Sequence, residues 1–192
     1  MPNLLLKDLP RYDCLREAAR EFPDLDPSAA EAFLHVLRTG DDVFAVTERL
    51  LTEHGISHGR FGVLMLLWRG TQAKGRAPAE DDCGGGPRTP AELAEAAGVT
   101  RATMTGLVDT LERDGFVKRQ PDPDDRRMMS VRLTAKGERF LREFLPVHFR
   151  SIAGLMGGLS ESERKTLVSL LTKIQRRAET PFSSRSPERP AA

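Results

Sequence analysis

Residues 89–134 read TPAELAEAAGVTRATMTGLVDTLERDGFVKRQPDPDDRRMMSVRLT. Thr89-Pro90-Ala91-Glu92 is a helix start. Thr89 can accept a hydrogen bond from the first turn, Pro90 has the φ of the first helical position, and Glu92 completes a capping box. Gly98 ends that helix and makes a turn, and Thr100 caps the next one. The second helix carries Met104, Leu107, Val108 and Leu111 at i, i+3, i+4, i+7, a single apolar stripe. Gly115 stops it. Phe116–Gln120 and Met128–Leu133 are predicted strands, with Met129, Val131 and Leu133 alternating inward, and Pro121–Arg127 is the tip between them. Two short helices, a tight turn and a hairpin in this order predict a winged helix-turn-helix.

The face opposite the stripe has small residues. Ala102, Thr105, Gly106 and Asp109 lie there, with Arg101 at the N-terminal end. A helix so faced can sit deep in a major groove about 12 Å wide. Its free N–H groups, beneath the Thr100 cap, favour a phosphate. Thr100, Arg101, Ala102, Thr105 and Gly106 are therefore the DNA-binding candidates of the helix. Arg126 and Arg127, adjacent at the hairpin tip, suit a narrow electronegative minor groove. Asp125 is placed to pair with Arg127 and fix the direction of its guanidinium.

Outward from this stretch, the chain reads as helices. Tyr12–Phe22 forms a short one, closed by Pro23 and Pro27. Ser28–His54 forms a long one. Ser57 caps a third, which carries Phe61, Leu64, Met65 and Trp68 and ends at Gly70. Residues 71–88 hold Pro78, three consecutive glycines and an acidic cluster, which reads as a surface loop or insertion. Thr134 caps a helix reaching about Gly157, with Pro146 inside it. Ser160-Glu161-Ser162-Glu163 opens a last helix whose stripe is Leu167, Leu170, Leu171 and Ile174. Residues 180–192 are expected to be a disordered tail.

Bulk properties exclude more than they assign. Apolar content of 39% and charged content of 30% describe a globular chain. The net charge of +1 conceals an uneven distribution. Residues 1–55 hold 6 basic against 11 acidic side chains, 56–133 hold 12 against 11, and 134–192 hold 11 against 6. The acidic N-terminal part is not expected to face DNA. No apolar run is long enough to span a membrane, and the N-terminus lacks the basic region of a secretory signal. Cys14 and Cys83 form no framework, which fits a reducing cytoplasm.

These residues resemble the MarR family of winged-helix regulators. The resemblance runs over Leu93–Gly137. It includes GVTRATMTGLVDTLERDGFVKR, the D-x-R pattern at Asp125-Arg126-Arg127 and V-x-L-T-x-x-G at Val131–Gly137. The flanking helices agree in number and length, extending it over about residues 29–179. It implies a mainly α fold with a small β wing, and a homodimer in which the terminal helices intertwine. Residues 1–28 would be an N-terminal extension. Residues 56–133 would be the DNA-binding lobe with 71–88 as an insertion, and 29–55 and 134–179 the dimerisation helices. Each protomer would read half of a pseudo-palindrome on double-stranded DNA as a repressor released by a small-molecule effector. The preface and Leu145–Phe149 resemble a subgroup that responds to urate and related compounds. Gly62 and Leu107 stand where that subgroup has an acidic and a basic residue.

Other constellations give less. Phe44, Phe61, Met65 and Trp68 are candidates for an effector pocket, against the simpler reading that they are core. His54 and His58 have metal-like spacing, but Gly55 breaks the helix between them, and no metal or other cofactor is expected. Cys14, flanked by Arg11 and Arg16, leaves a redox- or metal-responsive regulator of the same fold as an alternative. A winged helix can also bind proteins instead of DNA. No nucleophile motif or paired acid and base stands out, so no enzyme is expected.

Overall fold

Asp26 shows how a local sequence signal places an element. The computed structural model describes residues 8–72, 88–121 and 128–180, with side chains of 69–72 outside that description. The expected insertion and tail fall almost wholly outside these residues. So do Asp125, Arg126 and Arg127. The described chain is mainly helical with one two-stranded antiparallel sheet. It divides into two units, Met1–Phe149 and Arg150–Ala192.

In the first unit, α1 (Tyr12–Glu21) is followed by α2 (Pro27–Glu53). The Asp26 carboxylate accepts from the Ser28 and Ala29 N–H groups at 2.9 and 3.1 Å. A third bond, donated by the Ser28 hydroxyl at 2.8 Å, does most to hold its pKa below the ordinary carboxylate value, and the two N–H bonds add to it. Pro27 therefore opens α2, a correction to its expected role as a terminator of α1. Its missing N–H is no loss in the first turn, where helical N–H groups have no partner anyway.

The core gathers around α3 (His58–Gln72), which contributes Val63, Leu64 and Leu67. α4 (Pro90–Ala97) adds Leu93 and Ala94, and α5 (Arg101–Arg113) adds Met104, Val108 and Leu111. Leu51 and Ile56 close it at the end of α2, and Leu141, Phe144 and Leu145 come from α6 (Ala135–Leu155). Each of these side chains other than Ala94 contributes about 1.5–3 kcal/mol by leaving water. Phe144 meets Phe61 and His54 edge-on, with ring centroids 5.2 and 4.9 Å apart. Phe140 stacks on Phe144 at 5.5 Å and meets Phe116 at 5.3 Å.

The sheet pairs β1 (Val117–Pro121) with β2 (Met129–Leu133), Val117 opposite Leu133 and Pro121 opposite Met129. Val131 lies at its centre. It is opposite Arg119 on one side, and its N–H donates to the Arg88 carbonyl at 2.8 Å on the other. Met129 is on the face of Val131, as the alternation predicts, but it is not buried there. It is 44% exposed, because it ends the paired strand, whereas Ser130 is wholly buried.

Where the sheet returns to helix, Thr134 joins three elements. Its N–H donates to the Phe116 carbonyl at 3.0 Å, its hydroxyl donates to the Gly115 carbonyl at 2.7 Å, and the hydroxyl oxygen accepts from the Gly137 N–H at 3.2 Å. This contact explains the glycine of the V-x-L-T-x-x-G pattern. A Cβ at Gly137 would lie 2.2 Å from the Phe116 oxygen. α6 continues through Pro146.

In the second unit, α7 (Glu161–Ala178) starts from a capping box between Ser160 and Glu163. None of its residues is buried. Leu167, Val168, Leu170, Leu171 and Ile174 are all exposed, as are Ile152 and Leu155 before it.

Gly137→Ala should destabilise the fold by about 1–3 kcal/mol, since backbone oxygen cannot give way as a flexible side chain can. Urea unfolding of the two proteins measures it. An unchanged midpoint would show that the approach of α6 to Phe116 is not tight.

Candidate nucleic-acid interface

The two helices of the expected reader are held by their caps. Thr89 accepts from the Glu92 N–H at 3.2 Å, and Glu92 returns to the Thr89 N–H at 2.7 Å. Gly98 has φ +64°, a left-handed conformation that a Cβ disfavours, and it lets the chain turn between α4 and α5. Thr100 then caps α5 by accepting from the Thr103 N–H at 3.1 Å. Its role is thereby the start of the helix, where free N–H groups face outward.

Burial decides which side of α5 is available. Met104, Val108 and Leu111 are fully buried, and Leu107 is half-buried. Arg101, Ala102, Thr105 and Gly106 are all exposed, the last three away from the buried stripe and Arg101 at the N-terminal end of the helix. The Thr105 hydroxyl donates to the Arg101 carbonyl at 2.9 Å, which leaves its lone pairs outward as acceptors. A Cβ at Gly106 would meet nothing within 4 Å. The face is shallow because its residues are small, so a double helix could approach the backbone closely.

Below this face the sequence reading missed a clamp. Asp109 and Glu112, one turn apart on α5, both bind Arg119 of β1. The guanidinium donates to Asp109 Oδ1 and to Glu112 Oε2, each at 2.5 Å. The Arg119 main-chain N–H donates to Glu112 Oε1 at 2.8 Å. Burial pulls the Arg119 pKa down, but hydrogen bonds and charge from both carboxylates outweigh it and raise it overall. The i, i+3 carboxylates were the available signal; their common partner is seven and ten residues away, across a turn. A second ion pair, Arg60 to Asp114, ties α3 to the end of α5. β1 ends at Pro121 and β2 begins at Met129, and Asp125, Arg126 and Arg127 stand between them in sequence, outside the described residues.

The four effector-pocket candidates do not meet in one place. Phe44 is half exposed on α2, its ring 5.0 Å from that of His58. Phe61 is buried against Phe144, with His148 at 5.0 Å. Trp68 is half-buried, with the Arg142 guanidinium 6.0 Å over its ring. Met65 alone lines a cleft of about 490 Å³ between α3, α4 and α5, together with His58, Gly62, Leu66, Met104 and Leu107. Its lining is apolar apart from His58.

Cys14 is exposed on α1. His54 Nδ1 lies 2.8 Å from the Leu50 carbonyl at the end of α2. Among the described residues no three His, Cys, Asp or Glu side chains gather as a metal site, and no helix is long and apolar enough to cross a membrane. Burial, and the nearby His58, push the His148 pKa below the ordinary imidazole value.

Comparison with known proteins adds the following. The model of the MarR family matches residues 85–129. The chain is 35% identical over 166 residues to the HTH-type transcriptional repressor YetL of Bacillus subtilis (strain 168), covering 86% of this chain and 92% of that protein. The fold is similar to that in the crystal structure of the S. aureus MepR–DNA complex, with TM-score 0.59 and 21% identity over 77% of this chain and 95% of that one. It is also similar to Bordetella bronchiseptica BpsR, solved in a study of the regulation of its DNA binding by 6-hydroxynicotinic acid. There the TM-score is 0.57, with 24% identity over 73% of this chain and 91% of that one. At such identities the two structural likenesses speak for the fold alone.

His148 sets a pH dependence of stability. Its pKa is lowered on folding, so the unfolded chain binds more protons as pH falls through about 6.5, and stability should decline there. The lowered carboxyls of Asp26 and Glu163 act only in the lower carboxylate range. Urea midpoints between pH 5 and 8 should therefore fall on the acid side, and fall less in His148→Phe, which keeps a ring against Phe61 and Phe144. Identical slopes in the two proteins would rule out His148 as the source.

Proposed function

The chain belongs to the MarR family of transcriptional regulators, and on that premise we propose that it is a homodimeric repressor that reads a pseudo-palindromic operator and is released by a small effector. The observation carrying this reading is the face of α5. Arg101, Ala102, Thr105 and Gly106 are exposed together on a helix whose other side is locked in the core. Small side chains let such a helix enter a major groove, and Arg101 can bind a guanine edge or a phosphate. In this reading Arg126 and Arg127, held by Asp125, contact the minor groove.

Residues 56–133 then form the DNA-binding lobe, and 29–55 with 134–179 supply dimerisation helices. Support for a second copy comes from α7. An apolar stripe of Leu167, Leu170, Leu171 and Ile174 exposed on a helix without a buried residue is unfavourable in water and asks for a partner. Two copies would set their reading helices about 34–36 Å apart, one turn of DNA. A modest change in that separation breaks simultaneous contact, so an effector that prefers the wrong separation releases the operator.

The cleft beneath α5 supports such an effector. Met104 and Leu107 are on the reading helix itself, so an occupant would press on the helix that contacts DNA. Gly62 and Leu107 leave the cleft without the charged pair of the urate-responsive subgroup. The effector this lining suits is an uncharged apolar or aromatic molecule.

Gly106→Gln separates binding from folding. The substituted side chain has open space around it, and glutamine is the better helix former by about 0.5–1 kcal/mol. Stability should hold or rise, while operator affinity should fall at least tenfold, about 1.4 kcal/mol. Selection of bound sites from random DNA supplies the operator. Enrichment of a site with no two-fold symmetry, or full affinity in Gly106→Gln, would reject the reading. Replacing both Leu170 and Ile174 by Glu should give a monomer in sedimentation, and a dimer surviving that change would exclude α7 from the interface.

A further inference from the structure

An acidic residue on a face that meets phosphates is an anomaly. Asp109 continues the line of Arg101, Ala102, Thr105 and Gly106, and Glu112 follows one turn later. Two unpaired carboxylates there would repel DNA within a Debye length of about 8 Å. Neither is unpaired. One guanidinium spans both, at 2.5 Å each, and its side chain is only 25% exposed against 57% for Asp109. Glu112 uses its other oxygen for the main-chain N–H of the same arginine. Helix and strand are thus joined by three hydrogen bonds at one residue.

We propose that Arg119 is a positioning residue for DNA binding. It ties the first strand of the wing to the reading helix, so that both move as one body, and cancels the charge of Asp109 and Glu112 at the edge of the DNA face. This rests on the DNA-reading function proposed above. An arginine is required because its planar fork presents two N–H edges to two separate carboxylates; a lysine offers a single nitrogen and can hold one of them well. The fold does not depend on this link alone, since β1 is also paired along its length with β2 and Val117 is buried in the core.

The test compares full-length wild type with Arg119→Ala, Arg119→Lys and the triple variant Arg119→Ala/Asp109→Asn/Glu112→Gln. Operator and random duplex are titrated over a salt series. Arg119→Ala should lose at least tenfold in operator affinity, with a smaller loss on random duplex, and Arg119→Lys should fall between it and wild type. The triple variant, free of the exposed carboxylates, should recover its affinity for random duplex without recovering the operator. Operator binding by Arg119→Ala at wild-type strength overturns the proposal. So does full operator recovery in the triple variant, because charge alone would then account for the residue.

Amide hydrogen exchange without DNA gives an independent reading. Exchange at residues 117–120 should accelerate at least tenfold in Arg119→Ala, with Val108 and Leu111 unchanged, and equal rates in both proteins overturn the clamp whatever the DNA result. If wild type selects no operator while exchange responds as expected, the DNA reading fails and the clamp stands as a link between helix and strand.

Discussion

The rotation of α5 about its own axis governs the rest of the molecule. Met104, Val108 and Leu111 have no exposure at all, and they belong to one core with side chains of α3, α4, β1 and α6. A helix with such a stripe cannot turn without exposing several apolar groups, each worth about 1.5–3 kcal/mol. The face carrying Ala102, Thr105 and Gly106 is therefore presented outward by a force acting on the opposite side. The core sets the presentation, and the small exposed residues set the shape of what can approach.

Polar contacts fix what the core leaves adjustable. Capping hydroxyls at Thr89 and Thr100 define where α4 and α5 begin, and Gly98 sets the turn between them. Arg60 fastens the far end of α5 to α3, and Arg119 fastens its side to β1. Thr134 and Gly137 bring α6 against the strand's beginning. These ties converge at residues 109–119, where the helix gives way to the sheet. The ties at Arg60, Arg119, Thr134 and Gly137 therefore hold α5 to α3, β1 and the start of α6.

Errors in reading the sequence had local causes. Pro27 was ambiguous because proline both ends one helix and opens another, and only the Asp26 carboxylate bonds decide between them. Met129 matched the period-2 alternation, yet it closes the paired strand and is left in solvent, while Ser130 is buried. Phe61 and Trp68 share the helical spacing of Met65 on α3, and Phe44 is on α2, yet only Met65 of the four lines the cleft, since period identifies a helix face and not what lies against it. The clamp at Arg119 was hidden for the same reason: its partners are on another element.

From sequence alone came the number and order of the elements, the caps, the stripe of α5 and the residues of its outward face. These follow from backbone chemistry and helical period, which act over a few neighbours along the chain. The tertiary structure decided the rest. It turned Asp109 and Glu112 from an apparent obstacle into one side of a clamp, set Gly137 against a carbonyl oxygen, and gathered Gly62, Met65 and Leu107 around one cleft. Each depends on groups far apart in sequence meeting within a few ångströms. Packing of the helices determines such distances, and no local pattern records them.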